Sequence, residues 1–376
     1  MHFFVDFMKC YEIFNFIENW APKGIAWEKD NVGLQVGSAE NVLTNILLCL
    51  DLTEKVVEEA VKKRCSLIIS HHPLLFRPLK KIDTQIDKTS RIIAKLLHYK
   101  ITVYSAHTNL DFTKEGVSFK LAEKLKLKNL RFLHHLESNQ IKLSVFVPFS
   151  HIDTVAEAIH QAGGGIIGEY SHCSFRTIGT GTFKGSAKSN PALGNKMNLE
   201  YTDEIKLEVL INSFDSSKII SAVLNAHPYE EVAYDLYPLS NKNVNYGIGV
   251  IGQLENSMSE KEFLNHVSKS LKNKNFRYTA GNKRRISSVA VCGGSGSDLL
   301  ETAASKKADA FITADIKYHT FDEALDKILL IDAGHYETEI FSLDEVQKRL
   351  KKFLVNSNNK VYKYTGSTNP VNFFNI

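Results

Sequence analysis

The sequence has few cysteines, no long apolar run and little excess charge of either sign. Its cysteines are far apart and form no CxxC pair, which argues against a disulfide framework and a thiolate zinc site. The net charge of only +4 over 376 residues disfavours a nucleic-acid-binding role. No stretch reaches the roughly 18 consecutive apolar residues of a transmembrane helix. The five cysteines are Cys10, Cys49, Cys65, Cys173 and Cys292.

The apolar N-terminal stretch, residues 1–20, is interrupted by acidic and basic residues such as Asp6 and Lys9. It lacks the basic start and the small-residue cleavage site of a secretory signal. We therefore interpret residues 9–20 as an amphipathic helix of the folded protein. Together with the scattered thiols, this predicts a cytoplasmic protein that has no membrane partner.

Apolar strands alternate with helical patterns in two separate parts of the chain, residues 1–135 and 245–376. Such alternation is typical of a mostly parallel sheet that is covered by helices. We therefore predict an α/β fold, with a three-layer-like core of mostly parallel strands and helices. Residues 63–72 also align faintly with residues 306–315, which sets Asp315 opposite His72. Two related halves around a shared cleft would explain this alignment, but any two strand–helix–strand units resemble one another to some extent.

The segment between these parts, residues 140–240, follows a different order. A strand and a helix are followed by two strands, a second helix and a last strand. This βαββαβ order is typical of a ferredoxin-like unit. We predict that a ferredoxin-like domain interrupts the α/β core here.

Three apolar strands are each followed by a loop that is rich in histidine and carboxylate. Ligands of open α/β sheets bind outside the carboxyl ends of the strands, so the three loops are expected to converge in space. The first loop offers two adjacent histidines, the second a histidine and an aspartate, and the third a histidine and two glutamates. The residues are His71, His72, His107, Asp111, His335, Glu337 and Glu339.

The spacing of these residues predicts which of them can bind the same metal ion. Adjacent residues of an extended chain point to opposite sides, so His71 and His72 suit two neighbouring metal ions better than one. Residues four apart at the start of a helix share a face, which pairs His335 with Glu339 rather than with Glu337. The same spacing pairs His107 with Asp111.

Nitrogen and oxygen ligands without thiolate suit Zn, Fe, Mn, Co or Ni. Without Glu337, the three loops offer six ligands, four imidazoles and two carboxylates. This is more than one tetrahedral zinc ion takes, whereas two divalent ions about 3.5–4 Å apart with a bridging carboxylate would use all six. The competing interpretation is that the histidines are ordinary polar residues at strand ends.

Five ordered motifs together resemble the NIF-three-like family, whose bacterial members are often labelled GTP cyclohydrolase 1 type 2 homologues. Two further motifs resemble the PII/CutA-like insertion of the longer members. The five motifs are DNVGLQVG (30–37), SHHPLLF (70–76), SAHTNLD (105–111), TADIKYH (313–319) and DAGHYETE (332–339), and the two of the insertion lie in 168–185 and 226–239.

This resemblance implies a dinuclear metal centre and a toroidal homohexamer. The ligands carried over from the motifs are His71, His72, Asp111, His335 and Glu339, with Glu339 as the bridge. His107 belongs to its motif without being an assured ligand. We interpret His107 and His319 as second-shell or proton-transfer residues, because histidine titrates near neutral pH.

The glycine-rich loop CGGSGSD (292–298) lies between a predicted strand and a predicted helix. It is either a tight turn or a phosphate cradle at a helix start, in which case Gly293, Gly294 and Gly296 would contact a nucleotide.

The function that we predict is that of a metal-dependent hydrolase with two divalent ions per chain, acting on a nucleotide or a related small molecule. The alternative is a non-enzymatic metal-binding protein, regulatory or metal-trafficking.

Overall fold

The computed structural model describes residues 7–137, 139–282 and 285–374, so the first residues of the N-terminal stretch lie outside it. The chain divides into two compact units. One is His135–Asn245, which we call the inserted unit, and the other consists of the chain on both sides of it, which we call the core unit.

The first part of the core unit alternates strands with short helices, as the sequence predicts. Its elements are α1 (Cys10–Trp20), β1 (Gly33–Val36), β2 (Asn45–Cys49), α2 (Glu54–Lys62), β3 (Cys65–Ser70), α3 (Lys88–His98), β4 (Thr102–Ser105), α4 (Thr108–Asp111), α5 (Val117–Lys124) and β5 (Lys128–Glu137).

The inserted unit has the order strand, helix, strand, strand, helix, strand. Its elements are β6 (Gln140–Pro148), α6 (Ile152–Gln161), β7 (Ser174–Lys184), β8 (Leu199–Asn212), α7 (Ser216–Ala226) and β9 (Tyr234–Leu239).

The chain then returns to the core unit with a long strand and resumes the strand–helix alternation. The elements are β10 (Lys242–Met258), α8 (Glu260–Leu271), β11 (Arg277–Thr279), β12 (Ile286–Ser295), α9 (Leu300–Ser305), β13 (Ala310–Ala314), α10 (Tyr318–Ala324), β14 (Leu329–Asp332), α11 (His335–Glu339), α12 (Ser342–Phe353) and β15 (Val361–Lys363).

The core unit contains two sheets. The first has the strand order β1-β4-β3-β2-β15, in which β4, β3, β2 and β15 run parallel and β1 is antiparallel to β4. Both of its faces are buried, because side chains of a strand alternate between them. In β2, Ile46 and Leu48 pack in one apolar cluster with α1 and α12, whereas Leu47 and Cys49 pack in another with α2 and α3.

The second sheet has the order β11-β14-β13-β12-β10-β5, and its strands β12, β13 and β14 are parallel. It is also buried on both faces. Phe311 and Leu330 share a cluster with α9 and α10, while Ile312 and Ile331 face a cluster that includes α5 and α8. The predicted α/β architecture is therefore confirmed, but the sheets are mixed, because antiparallel strands flank the parallel ones in both of them.

The inserted unit is a single antiparallel sheet of order β7-β8-β6-β9. Helices α6 and α7 cover one of its faces, where Val155 and Ile219 pack against Leu207 and Val209. On the opposite face of β8, Lys206 and Glu208 remain partly exposed. The sheet is thus amphipathic, and the apolar core of this unit lies on its helical side.

The long strand β10 and its neighbour β5 were not predicted. For β10 the reason is visible at Gly247 and Gly252, since a Cβ at Gly247 would lie 2.4 Å from the His134 carbonyl and one at Gly252 would lie 2.7 Å from Leu130 Cδ2. Glycine permits this close approach of the two strands, but it also weakens the strand pattern in the sequence.

All five cysteines are free, as their spacing predicts, and four of them are buried. None of the helices in the described residues is long and apolar enough to cross a membrane.

Candidate metal centre

Histidines from both sheets of the core unit meet at the carboxyl ends of parallel strands. His71 and His72 follow β3 directly, and His107 follows β4. His335 comes from the other sheet, where it begins the short helix α11 after β14. Glu339 ends that helix and is only 3% exposed. The convergence expected from the three loops is therefore present in the structure.

One half of the cluster joins His72, His335 and Glu339. The two Nε2 atoms of His72 and His335 lie 3.2 Å apart. His72 Nε2 is 3.1 Å from Glu339 Oε2, and His335 Nε2 is 3.0 Å from Glu339 Oε1. These three side chains form a group that is able to hold a metal ion.

The other half surrounds His71. Its Nε2 lies 3.6 Å from Asp111 Oδ1 and 3.7 Å from Glu339 Oε1. Both His71 Nε2 and Asp111 Oδ1 are buried and lack a hydrogen-bond partner in the described residues. Two ligand atoms bound to one ion at about 2.1 Å lie roughly 3–3.5 Å apart. The distances from His71 Nε2 to the two carboxylate oxygens are slightly longer than this. A cation would satisfy both atoms, so the donor set fits a metal.

His71, His72 and His107 form a second group that is able to hold a metal ion. The ring centroid of His107 is 5.2 Å from that of His71 and 5.4 Å from that of His72. His107 thus lies within reach of an ion bound by its neighbours. Its position fits either a direct ligand or a group beside a bound substrate.

All four imidazoles are held through Nδ1, which leaves Nε2 facing the cluster. His71 Nδ1 donates to the Ala106 carbonyl at 2.8 Å, and the other three donate to carboxylates. Such partners fix the ring orientation and raise the basicity of a metal-binding histidine. The carboxylates are Asp51 for His72 at 2.9 Å, Asp30 for His107 at 2.9 Å and Asp315 for His335 at 2.6 Å.

None of these three aspartates was predicted as a partner of a histidine, although Asp30 and Asp315 lie in quoted motifs. Asp51 and Asp315 could have been found, because each directly follows a buried strand, as the histidines do. Asp30 is the first residue of the motif DNVGLQVG, but nothing local connects it with His107, which lies 77 residues later in the chain.

The charged side chains of the cluster shift one another's pKa values. Burial favours the neutral form of Glu339, but the facing imidazoles, led by His71, outweigh it and hold its pKa well below the usual range. Burial and the charge of Glu339 raise the pKa of Asp111 well above its usual range. The site therefore concentrates negative charge that a divalent cation would compensate.

The histidine pKa values diverge. Burial lowers the pKa of His71. Burial also acts against the charged form of His72 and His335, but their carboxylate partners prevail and raise the pKa values to about 10 and about 9. Metal binding at such a site displaces protons from these rings.

The sequence matches the Duf34/NIF3 (NGG1p interacting factor 3) family over residues 8–370. The chain belongs to the DUF34/NIF3 family. A GTP cyclohydrolase 1 type 2 homolog of Halalkalibacterium halodurans is 40% identical over 344 residues, which cover 91% of this chain and 92% of that protein. One of Bacillus subtilis is 37% identical over 370 residues, 96% and 98% of the two chains. A crystal structure of a Bacillus cereus protein related to NIF3 has a TM-score of 0.84 at 37% identity, covering 98% of this chain and 100% of that one.

Two residues weighed from the sequence of this NIF3-family chain have other partners than the histidines of the cluster. Glu337 accepts a hydrogen bond from Asn369 Nδ2 at 2.9 Å. His319 is exposed near the start of α10, where its ring packs against Tyr318. In the described part of the chain, neither residue belongs to a group able to hold a metal ion. A role for His319 in proton transfer remains a prediction that its position does not support.

The first residues of the predicted glycine-rich loop form the end of β12, and Gly294 lies against Glu339 and His335. The amide of Gly293 donates to Ser118 Oγ at 3.2 Å, and that of Gly294 donates to Thr338 Oγ1 at 3.0 Å. A phosphate cradle needs such amides free, so these contacts argue against a cradle here, and a turn is possible only after Ser295, where β12 ends.

A cleft of about 780 Å³ opens beside His72 and His335. Its walls combine a cation, amides and aromatic rings, namely Asn275, Phe276, Arg277, Tyr336, Asn369 and Phe373. The C-terminal segment forms one wall and is tied to the site, because Thr368 Oγ1 donates to Asp51 Oδ2 at 3.0 Å.

Proposed function

We propose that this NIF3-family protein is a metal-dependent hydrolase with two divalent ions per chain. His71 and Asp111 hold one ion, His72 and His335 hold the other, and Glu339 bridges them. The observation that carries the proposal is the convergence of the imidazole Nε2 atoms on the buried Glu339 carboxylate, which lies within 3.7 Å of His71, His72 and His335.

The ions would supply a Lewis acid and a water nucleophile of lowered pKa, which is the general chemistry of two-metal hydrolytic sites. The residues of the chain orient the reaction. Asp30 holds the His107 ring at Nδ1, so that its Nε2 is available to accept or donate a proton beside the ions. Asp51 and Asp315 fix the rings of His72 and His335 in the same way.

A nucleotide or a related small molecule suits the cleft beside the cluster. Arg277 is 64% exposed at its side chain and can pair with a phosphate, although it also contacts Asp332 and donates to the Ile316 carbonyl at 2.9 Å. Phe276 and Phe373 line the same cleft and offer faces for a planar ring. The names of the relatives suggest GTP as the first substrate to test.

The decisive experiment compares Glu339→Gln with Glu337→Gln. The two positions lie on the same short helix, but only Glu339 faces the histidines. Elemental analysis of the purified wild type should find about two divalent ions per chain. Glu339→Gln should lose at least half of this metal, whereas Glu337→Gln should retain it. Release of formate or phosphate from GTP should follow the metal content in all three proteins.

A wild-type protein that binds no metal after incubation with Zn, Mn or Fe would contradict the metal site. It would contradict the bridging role if both glutamine variants lost metal equally. Metal without turnover of GTP or other nucleotides would instead favour the alternative, a non-enzymatic regulatory or metal-trafficking protein.

Two further assignments belong to the proposal. We assign the inserted unit to the ferredoxin-like class of PII/CutA-like insertions, which its strand order β7-β8-β6-β9 with two helices on one face supports. We also propose that the chain assembles into a toroidal homohexamer. Analytical ultracentrifugation of the metal-loaded chain tests it, and a monomer or dimer at micromolar concentration would contradict it.

A further inference from the structure

A second cleft lies entirely within the inserted unit and has no part in the metal site. Its volume is about 530 Å³, within the range of small-molecule sites. It lies on the side of the sheet away from α6 and α7, where Gly181 and Phe183 of β7 and Glu204 of β8 line it. Phe146, Leu193 and Tyr229 complete its walls.

The burial of Glu204 is unusual for its place in the sheet. Side chains on this face of β8 are otherwise partly exposed, as Lys206 and Glu208 are, but Glu204 is only 8% exposed. The segments 186–193 and 229–233 line the cleft from outside the sheet. They are joined by the Asn190 amide, which donates to Glu230 Oε1 at 2.8 Å. These two segments therefore enclose the Glu204 carboxylate and keep it away from water.

The Glu204 carboxylate has no cationic partner. No lysine, arginine or histidine nitrogen of the described residues lies within ion-pair distance of it, although Lys184 lies at the cleft. His227 cannot serve, because its Nδ1 accepts from the Tyr229 amide at 3.2 Å and its Nε2 donates to the Phe146 carbonyl at 2.9 Å. A buried carboxylate without a partner is destabilising unless a bound group compensates it.

The cleft is also shaped around this carboxylate. A Cβ on Gly181 would lie 2.2 Å from Glu204 Oε2, so a larger residue at this position would displace the carboxylate from where it lies. The Tyr229 hydroxyl is buried beside the Glu204 carboxylate. The two carboxylate oxygens and this hydroxyl thus line a cavity whose other walls are mainly apolar.

We infer that this cleft binds a small organic cation. An ammonium, amidinium or guanidinium group of the ligand pairs with Glu204 and reaches the Tyr229 hydroxyl. The apolar part of the ligand lies between Phe146, Phe183 and Leu193. Glu230 and Glu231 at the edge of the cleft add negative charge that favours a cation over an anion.

The probe that tests this is benzamidine, with the neutral and equally shaped benzamide as its control. Both are titrated against the full-length protein by calorimetry and by saturation-transfer NMR. Benzamidine should bind with a dissociation constant of about 1 mM or tighter, and benzamide about tenfold or more weakly. Titration with 2-phenylethylamine tests whether the cleft also accepts a compact ammonium group in place of the planar amidinium. Binding of benzamidine supports the inference whether or not 2-phenylethylamine binds as well.

The variant Glu204→Gln should lose about tenfold or more of the affinity for benzamidine. Its matched control is Glu208→Gln, four residues along the same face of β8, which should bind benzamidine as the wild type does. Thermal unfolding distinguishes a binding role from a structural one, because removing an uncompensated buried charge should leave the melting temperature unchanged or raise it.

Three results would overturn the inference: no binding of benzamidine at about 10 mM, equal affinity for benzamidine and benzamide, or full affinity in Glu204→Gln. The comparison of the two probes needs only the wild type, so it decides the question even if a variant fails to fold.

Discussion

Gly294 lies directly against Glu339, at the centre of the metal cluster. A Cβ built on Gly294 would stand 2.2 Å from Glu339 Oε1 and 3.3 Å from His335 Nε2. The backbone of Gly294 also has a φ of +65°, which glycine adopts readily and other residues rarely do. The glycine-rich loop therefore leaves room for the glutamate that we propose as the bridge.

Gly294→Ala is expected to weaken metal binding, because the new methyl group displaces the Glu339 carboxylate. We expect a loss of about tenfold or more in metal affinity, the size of effect seen when the surroundings of a metal site are altered. The left-handed backbone should add about 1–2 kcal/mol of destabilisation. Competition with a fluorescent chelator measures the first effect, and denaturant unfolding of the metal-free protein measures the second.

Gly168→Ala is the matched control. Gly168 has a φ of +58°, but nothing lies within 4 Å of a Cβ built there. It should therefore show a similar loss of stability without any loss of metal affinity. Equal metal affinity in the two alanine variants would contradict the role of Gly294.

Asp315→Asn is expected to weaken metal binding through His335. Asp315 Oδ2 accepts from His335 Nδ1 at 2.6 Å, and the neutral amide holds and polarises that ring less well. Loss of such a partner usually reduces metal affinity by about 10–100-fold. Isothermal titration of the metal-free protein with Zn²⁺ or Mn²⁺ checks this.

Asp326→Asn controls for the backbone of that position. Asp326 has a φ of 57° and Asp315 one of 56°, so both are left-handed aspartates in the same half of the core unit. Asn tolerates this conformation. A fall in metal affinity in both variants would show that the effect does not act through His335.

Local sequence patterns predict those parts of the site that local structure determines. His71, His72, His107 and His335 each follow an apolar strand, and the rule that ligands bind at the carboxyl ends of strands brings them together. The spacing of four residues on a helix also separates Glu339, which faces the histidines, from Glu337, which does not. Whether these residues bind metal stays a prediction.

The supporting residues could not be predicted in the same way, because tertiary contacts define them. Asp30 orients a histidine 77 residues away, and Gly294 makes room for a glutamate 45 positions later in the chain. In the fold, β10 was missed because the glycines that let it approach β5 also break its apolar pattern. Such residues depend on which elements pack together, and local patterns do not encode that.

The pH dependence of stability should include a contribution from Glu345. This residue is 6% exposed, and its carboxylate lies 3.1 Å from Lys120 Nζ and 3.0 Å from Arg349 Nε. Burial favours the neutral acid, but the ion pair with Lys120 and the neighbouring basic side chains prevail and lower its pKa from 4.5. A lowered pKa in the folded state stabilises the fold above the unfolded-state pKa, and this stabilisation is lost as the pH falls through the folded value.

Glu345→Gln should therefore reduce the free energy of unfolding by about 1–3 kcal/mol at pH 7, since it leaves Lys120 without its buried partner. The difference from the wild type should shrink as the pH falls below 4.5 and be smallest once the acid is protonated in the folded state as well. Urea unfolding at several pH values measures it. Glu123→Gln, which removes the more exposed partner of Lys120, should change the stability by about 0.5 kcal/mol or less. A difference that persists at low pH would contradict the assignment.

The C-terminal segment should affect metal binding through Asp51. Thr368 Oγ1 donates to Asp51 Oδ2, while Asp51 Oδ1 accepts from His72 Nδ1, so the threonine fixes the carboxylate that orients the histidine. Thr368→Val removes this donor at nearly constant volume and should weaken metal affinity by about two- to tenfold. Thr365→Val removes a comparable bond, from Thr365 Oγ1 to Glu59 Oε2 at 2.7 Å, and should leave the affinity unchanged. Because both variants lose one hydrogen bond of the same segment, equal metal affinities by chelator competition would mean that the segment does not support the site.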